Sequence, residues 1–201
     1  MDILISSNNK DKIKEIKKVF DNKDVNLLTL DKFPDAPEVI EDGNTLFDNA
    51  YKKAKLLFDF TGIPTIADDT GLEVDALNGA PGVYSARYAG ENVTYDDNVN
   101  KLIEEMKNIV DGNRTARFKT VAVYYSREIN FYEEGACEGI ILRERKGTGG
   151  FGYDPIFYVE ELNKSFAEMK SKEKNKISHR GIAFQKLHSS FQQKVNKEVS
   201  P

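Results

Sequence analysis

From its first residues, the chain alternates between segments spaced like buried β-strands and segments spaced like amphipathic helices. Asp2–Ser6 predicts a buried first strand. The next stretch places Ile13, Ile16 and Phe20 on one helical stripe with lysines between them, which predicts an amphipathic helix. Val25–Leu30 predicts a second strand. Strands that alternate with helices in this way are typical of an α/β fold.

The alternation continues through the middle of the chain. A longer helix is predicted to start with Asp42–Thr45 and to end at Gly62 and Pro64, and Thr65–Ala67 predicts the strand that follows it. Asn78–Gly82 is rich in turn-forming residues and predicts a loop. Apolar residues at offsets 0, 3, 4 and 7 from Val99 predict another amphipathic helix.

The C-terminal part of the chain is richer in strands. Arg117–Ser126, Asn130–Glu133 and Ala136–Arg143 each predict a strand, with a tight hairpin joining the first two. Ile156–Val159 predicts a further short strand, and apolar residues at every fourth position from Ala183 predict a closing helix. Because hairpin strands are antiparallel, the sequence predicts a mixed α/β fold with an antiparallel portion.

Composition and charge narrow the class of protein. The chain has 201 residues, of which 39% are hydrophobic, and this suits one globular domain with a proper core. Its 29 Lys and Arg against 33 Asp and Glu give a net charge of −4, so neither nucleic acid nor a membrane is an expected partner. Cys137 is the single cysteine, and apolar runs such as Ile140–Leu142 are too short to span a bilayer. Because Met1–Leu4 has no basic leader segment, we expect a soluble cytoplasmic protein.

One glycine-rich segment matches a dinucleotide-binding pattern without the required context. Gly147–Gly152 fits GxGxxG letter for letter, but that pattern needs a strand before it and a helix after it. Here Tyr153–Pro155 leads into the strand-like run Ile156–Val159. The segment therefore predicts a loop whose glycines let the backbone approach a ligand. His179 and His188 are too few and too far apart to predict a zinc site.

Several polar side chains lie at the predicted ends of helices and strands, a placement that suits phosphate chemistry. Lys12 lies in the first turn of a helix, where free backbone N–H groups attract an anion, although an ordinary capped helix with a solvated lysine is the simpler interpretation of this residue alone. Glu41 precedes a helix, and Asp68 and Asp69 end a buried strand. These carboxylates could converge and hold Mg²⁺, or could serve only as surface charges and caps.

The last predicted helix opens with His179 and Arg180. Cations at a helix N-terminus oppose the helix dipole unless an anion or an aromatic ligand lies there. Lys174 comes shortly before them, and Lys53 lies off the apolar stripe of its own helix. For His179, Arg180 and Lys174, the residues alone support a ligand site and a chance placement equally, whereas a solvated helix face is the simpler interpretation of Lys53.

Short polar motifs occur in one order along essentially the whole chain. They are Ser7–Lys12 with Glu15, Glu41–Thr45 with Asn49, Ile66–Leu72, Gly79–Tyr88, Gly149–Phe157 and Ser178–Arg180. In this order they resemble the Ham1-type inosine triphosphate pyrophosphatase family, whose members remove non-standard purine nucleoside triphosphates such as ITP, dITP and XTP.

The resemblance implies an elongated α/β fold in which a mixed β-sheet, flanked by helices, forms two lobes with a deep nucleotide-binding cleft. Residues 1–201 would form a single domain of two lobes. The resemblance also implies hydrolysis between the α- and β-phosphates, which gives a nucleoside monophosphate and pyrophosphate, with Mg²⁺ as cofactor. The expected partners are a small-molecule nucleotide and a second copy in a homodimer.

The same resemblance assigns catalytic roles. Lys12 and Lys53 are expected to neutralise phosphate, and Asp69 is expected to orient the attacking water. Glu41 and Asp69 are expected to hold Mg²⁺, with Asp68 as the other acidic candidate. The sequence does not decide which of the two adjacent aspartates faces the metal.

The remaining expected residues bind the nucleotide. They are Ser7, Asn8, Asn9 and Lys12 at the phosphates, Thr70, and Phe151, Gly152, Tyr153, Asp154, Lys174, His179 and Arg180 around the base. Lys174, His179 and Arg180 are candidate donors to the C6 keto oxygen of hypoxanthine or xanthine, and they would be left unpaired against adenine.

Two other functions stay open at this point. A nucleotide-binding regulator would use the same residues without turnover, although the presence of Glu41, Asp68, Asp69 and Lys53 favours an enzyme. A pyrophosphatase of the Maf type would prefer pyrimidine or modified nucleotides, and substrate profiling would distinguish it.

Overall fold

The computed structural model describes residues 1–20 and 25–195, in which strands and helices alternate as predicted. The strands are β1 (Asp2–Ile5), β2 (Asn26–Thr29), β3 (Thr65–Val74), β4 (Pro81–Gly82), β5 (Thr115–Tyr125), β6 (Asn130–Ile141), β7 (Phe157–Val159) and β8 (Lys164–Ser165). The helices are α1 (Lys10–Val19), α2 (Leu46–Thr61), α3 (Tyr95–Glu105), α4 (Ser171–Ile177) and α5 (His179–Lys194).

One mixed sheet runs through the fold in the order β2-β1-β3-β5-β6-β7-β8, and β4 pairs with β3. β1 is parallel to both β2 and β3, whereas β7 is antiparallel to both β6 and β8. The predicted mixed α/β class, with an antiparallel portion, is confirmed. Among the described residues, no helix is both long and apolar enough to cross a membrane.

The chain divides into two compact units. The first comprises Met1–Asp69, Thr120–Gly135 and the described residues from His179 onward, and the second comprises Thr70–Lys119 and Ala136–Ser178. β3, β5 and β6 each contribute residues to both units.

In the first unit, the two faces of β3 are covered by different helices. Ile66 packs in a cluster with Ile16 of α1 and Phe184 of α5, whereas Ala67 packs in a cluster with Ala54 of α2. Successive residues of a strand point to opposite faces, so this division continues along β3 into the polar residues that follow.

In the second unit, three phenylalanines hold the strands to α3. Phe118 and Phe166 pack on Phe157 with ring centroids 4.7 and 4.8 Å away, in one cluster with Val99 and Leu102 of α3. This core fixes the strand that follows the glycine-rich segment. Residues 147–152 form a loop, as predicted.

β3 is longer than predicted. It continues past Ala67 to Val74, so the prediction that Asp68 and Asp69 end the strand is wrong. Aspartates are rare inside strands, but strand propensity depends on the contacts that each side chain finds. Here both carboxylates find charged partners, and the strand continues.

β6 is one strand where the sequence predicts two. The predicted break falls at Gly135, where a Cβ atom would lie 2.1 Å from the carbonyl oxygen of His179 and 2.5 Å from the backbone nitrogen of Ala183. The glycine therefore marks a close approach of α5 to the strand and not a turn. The short helix α4, which carries Lys174, was not predicted.

Candidate active site

Asp68 and Asp69 lie on opposite faces of β3, because they are adjacent residues of one strand. Asp68 contacts α1 and α5, and Asp69 contacts α2. Their side chains are only 1% and 8% exposed. The structure thus separates two carboxylates that the sequence could not tell apart.

On one face, Asp68 lies between two cations. Its Oδ2 atom is 3.2 Å from Nζ of Lys12 and 3.3 Å from Nε of Arg180. Nη1 of Arg180 also donates to Oε2 of Glu15 at 2.6 Å. Lys12 and Glu15 are three residues apart on α1 and therefore share a face of that helix. Along the contacts from Lys12 through Asp68 and Arg180 to Glu15, the four side chains alternate in charge. We call Lys12, Asp68, Arg180 and Glu15 the Asp68 ring.

The first turn of α1 fixes the backbone of Lys12. Oδ1 of Asn9 accepts hydrogen bonds from the backbone N–H groups of Asp11 and Lys12 at 3.0 and 3.2 Å, so Asn9 is the N-cap. Oγ of Ser7 in turn accepts from the backbone N–H of Asn9 at 3.2 Å. Asn8 is exposed. The predicted phosphate-binding residues therefore gather at one helix N-terminus, where an anion is favoured.

On the other face, Asp69 lies beside two residues of α2. Nδ2 of Asn49 donates to its Oδ2 at 3.0 Å, and Nζ of Lys53 is 3.6 Å from its Oδ1. Lys53 also donates to Oε1 of Glu41 at 2.7 Å, so two carboxylates share one ammonium. Oδ1 of Asn49 accepts from the backbone N–H of Gly43 at 2.8 Å, which ties the loop before α2 to the same place. We call Asp69, Asn49, Lys53 and Glu41 the Asp69 cluster.

The Asp68 ring keeps its carboxylate ionised. Burial by itself raises the pKa of Asp68, but the positive charges of Lys12 and Arg180 outweigh burial and bring that pKa well below its ordinary value. Burial also lowers the pKa of Lys12, against the attraction of Asp68. The ring holds two cations and two anions, so its net charge is zero.

In the Asp69 cluster, by contrast, the pKa of the aspartate is raised. Burial raises the pKa of Asp69, the charge of Glu41 raises it further, and Lys53 offsets only part of that increase. Burial lowers the pKa of Lys53, but Asp69 and Glu41 together raise it above its ordinary value. With two carboxylates and one ammonium, this cluster carries a net charge of −1.

The donor chemistry of the Asp69 cluster fits Mg²⁺. Within residues 1–20 and 25–195, no group of three or more His, Cys, Asp or Glu side chains could hold a metal ion by itself. Mg²⁺ is usually bound by one or two carboxylates, with waters and substrate phosphates as its other ligands. Glu41 and Asp69 offer such a pair with an uncompensated negative charge, whereas Asp68 is already balanced by Lys12 and Arg180.

In the second unit, the loop predicted to bind the base is held by a buried ion pair. Oδ2 of Asp154 is 2.7 Å from Nζ of Lys174 and accepts from the backbone N–H of Phe151 at 2.9 Å. Nζ of Lys174 also lies 4.9 Å from the ring centroid of Phe151, a cation–π contact. At Gly150 φ is +74° and a Cβ atom would lie 2.0 Å from Oδ2 of Asp154, so the loop needs glycine there.

The other expected base-site residues are placed differently. Tyr153 is buried in the apolar core of its unit, and its hydroxyl donates to the carbonyl of Ser85 at 2.9 Å. Gly152 and Thr70 are half-buried. His179 is the buried first residue of α5 and belongs to the first unit, as does Arg180. The structure brings together Phe151, Asp154 and Lys174, and it places the guanidinium of Arg180 in the Asp68 ring.

Two site residues were not singled out from the sequence. Glu15 and Asn49 entered only as parts of longer motifs. Helical spacing could have identified both, because Glu15 follows Lys12 by three residues and Asn49 precedes Lys53 by four. Each therefore shares a helix face with a lysine that was already a candidate.

Comparison with known proteins identifies the family of this chain. A family model described as the Ham1 family matches residues 3–190. A protein of Desulforamulus reducens named dITP/XTP pyrophosphatase is 48% identical over 92% of this chain and 93% of its own. Solved Ham1 proteins of Staphylococcus aureus and Coxiella burnetii superpose with TM-scores of 0.87 and 0.88, each 37% identical over 96% of this chain and 99% of its own. The chain belongs to the Ham1 family.

Proposed function

We propose that this protein hydrolyses non-standard purine nucleoside triphosphates, namely ITP, dITP and XTP, to the nucleoside monophosphate and pyrophosphate. The relative from Desulforamulus reducens carries the name dITP/XTP pyrophosphatase, which supports this substrate class. The observation that carries the proposal is the Asp69 cluster, in which a buried aspartate with a raised pKa lies beside a second carboxylate and a shared ammonium.

Each charged residue of the cluster has its own role in the proposed reaction. Asp69 orients the attacking water and accepts its proton, a role for which a raised pKa is suited. Lys53, and Lys12 at the N-terminus of α1, neutralise the phosphates, which is the main requirement of this kind of reaction. Glu41 and Asp69 would hold Mg²⁺, which supplies further charge neutralisation when bound.

The second unit supplies selectivity for the base. Lys174 is buried and held by Asp154, so its ammonium is fixed in position as a donor. A fixed donor can donate to the C6 keto oxygen of hypoxanthine or xanthine, whereas the amino group of adenine offers it no acceptor at that position. His179, Thr70 and the Phe151 loop complete the proposed nucleotide contacts.

The assembly and location of the protein follow as further proposals. We expect one domain of two lobes, a homodimer in solution and a cytoplasmic enzyme that removes these nucleotides before they enter DNA or RNA. Sedimentation of the purified protein tests the homodimer, and a monomer at micromolar concentration would contradict it.

The test of the function is pyrophosphate release from ITP, XTP, dITP, ATP and GTP, with and without Mg²⁺ and with identification of both products. We expect fast release from the first three, with the monophosphate as the second product and little release from ATP or GTP. Chelation of the metal should abolish turnover. Orthophosphate with a diphosphate would mean that water attacks the γ-phosphorus, and tight binding without turnover would favour a regulator.

A further inference from the structure

The Asp68 ring contains more charge than phosphate binding alone requires. Asp68 and Arg180 are only 1% and 3% exposed, whereas the side chains of Lys12 and Glu15 are 19% and 16% exposed. Burying two opposite charges is costly, and their pairing often does no more than repay that cost. The ring therefore needs a reason beyond the stability of the fold.

We propose that Glu15 and Arg180 are positioning residues for the phosphate subsite: Glu15 fixes Arg180, Arg180 fixes Asp68, and Asp68 sets the position of the Lys12 ammonium. The inference rests on the proposed function only in taking Lys12 as a phosphate ligand. It gives Arg180 a role through other side chains, beside the contact with the base that the resemblance implies.

Each contact in this series introduces a charge that the next contact balances. A carboxylate 3.2 Å from Nζ of Lys12 holds that ammonium in place but would also repel an arriving phosphate. Arg180, whose Nε donates to the same Oδ2 atom, cancels the charge of Asp68 while leaving the contact intact. The buried guanidinium then needs a second anion, and Glu15 supplies one at 2.6 Å.

The placement of the ring makes it a positioning device. Lys12 and Glu15 belong to α1, Asp68 to β3 and Arg180 to α5, so the ring connects three elements of the first unit. A lysine held by a fixed carboxylate has already lost the side-chain freedom that it would otherwise lose on binding phosphate. Removing Glu15 should therefore affect an anion that Glu15 itself does not touch.

The experiment measures binding of inorganic tripolyphosphate by titration calorimetry to the full-length wild type and to Glu15→Gln. The two possible roles of Glu15 predict opposite signs. Loss of one negative charge near the subsite would tighten anion binding if Glu15 acted only through its charge. If Glu15 positions Lys12, affinity should fall about tenfold because the ammonium is misplaced.

The control is Glu104→Gln, which removes a helical glutamate that is paired with Lys107 on the surface at 3.4 Å. Tripolyphosphate affinity should be unchanged in this variant. A double-mutant cycle adds Lys12→Ala: the effect of Glu15→Gln should disappear in that background, because the residue through which it acts is gone. Equal losses in both backgrounds, tighter binding in Glu15→Gln, or no binding to the wild type would each overturn the proposal.

Two further measurements distinguish failure of the positioning role from failure of a variant to fold and from failure of the proposed function. If Glu15→Gln does not fold, the double variant Glu15→Gln with Arg180→Gln avoids an uncompensated buried charge, and affinity should still fall. Wild-type affinity in that folded variant would refute the positioning role. If the wild type hydrolyses no nucleotide, the proposed function fails, but the binding test stands; if it does, Glu15→Gln should lower kcat/KM for ITP with a raised KM.

Discussion

The Asp68 ring and the Asp69 cluster surround aspartates at adjacent positions of one strand, yet their charges are balanced differently. Around Asp68, two cations meet two anions, and the pKa of the carboxyl is lowered. Around Asp69, one cation meets two anions, and the pKa is raised. The alternation of side chains along β3 is what gives neighbouring aspartates these separate surroundings.

This difference in charge balance indicates which of the two carboxylates is suited to catalysis. A carboxylate held ionised by two cations contributes to structure, because its charge is already used. A carboxylate with a raised pKa in a cluster of net negative charge can accept a proton or a metal ion. Substitutions at the two positions should therefore change different quantities.

The largest expected effect is the loss of turnover in Asp69→Asn. Removing the proposed base should lower kcat for ITP by about 10³-fold. The melting temperature should be unchanged or higher, because burial disfavours the charge that the substitution removes and Lys53 keeps its contact with Glu41. Steady-state kinetics and calorimetry on the same preparation check both parts. Turnover close to wild type would remove Asp69 from the chemistry.

The second effect is on stability. Asp68→Asn leaves Lys12 and Arg180 without their shared carboxylate and should lower the free energy of unfolding by about 3 kcal/mol. Urea denaturation measures the change, and Asp69→Asn is its matched control. If the two variants were equally stable, the distinction between the ring and the cluster would be wrong.

The sequence predicts the helices and strands better than it predicts which residues contact Asp68 and Asp69. Periodicity finds α1, α2, α3 and α5, since each has an apolar stripe that must face a core. It misses α4, which has only seven residues and contributes a buried Lys174 in place of an apolar stripe.

The contacts at the site were not predicted from the sequence for a different physical reason. The sequence places Lys12, Asp68 and Asp69 near phosphate chemistry, but it ends the strand at the two aspartates. Only a strand that continues through them shows that they face opposite ways. The partnership of Glu15 with Arg180 is likewise invisible, because 165 residues separate them and only the packing of α5 brings them together.

The third substitution tests the packing of α5 against β6. Gly135→Ala would place a methyl group against the backbone of His179, so the first turn of α5 must move and carry Arg180 with it. Overpacking of this kind should cost about 2 kcal/mol of unfolding free energy. Gly112→Ala is the control, since nothing lies within 4 Å of its added carbon and its change should stay within about 0.5 kcal/mol. Equal stabilities would mean that α5 tolerates displacement and that the ring does not depend on its exact position.

The smallest effect concerns Asn49, which orients Asp69 without belonging to the charges of the cluster. Asn49→Ala removes the hydrogen bond to Asp69 and the one from Gly43 and should lower kcat/KM by about tenfold.

Asn98 offers a close match for that substitution, because it is also a buried helical asparagine, and it accepts from the backbone N–H of Ala89 at 2.7 Å and donates to the carbonyl of Ala86 at 3.1 Å. Both alanine variants should lose similar stability, since each leaves a backbone N–H without its side-chain acceptor. Of the two variants, only Asn49→Ala should also lose activity, because Asn49 donates to the carboxylate that is proposed to accept the proton and Asn98 does not. If both variants lost activity in proportion to stability, general loosening would explain the effect, and the orientation of Asp69 by Asn49 would have no part in catalysis.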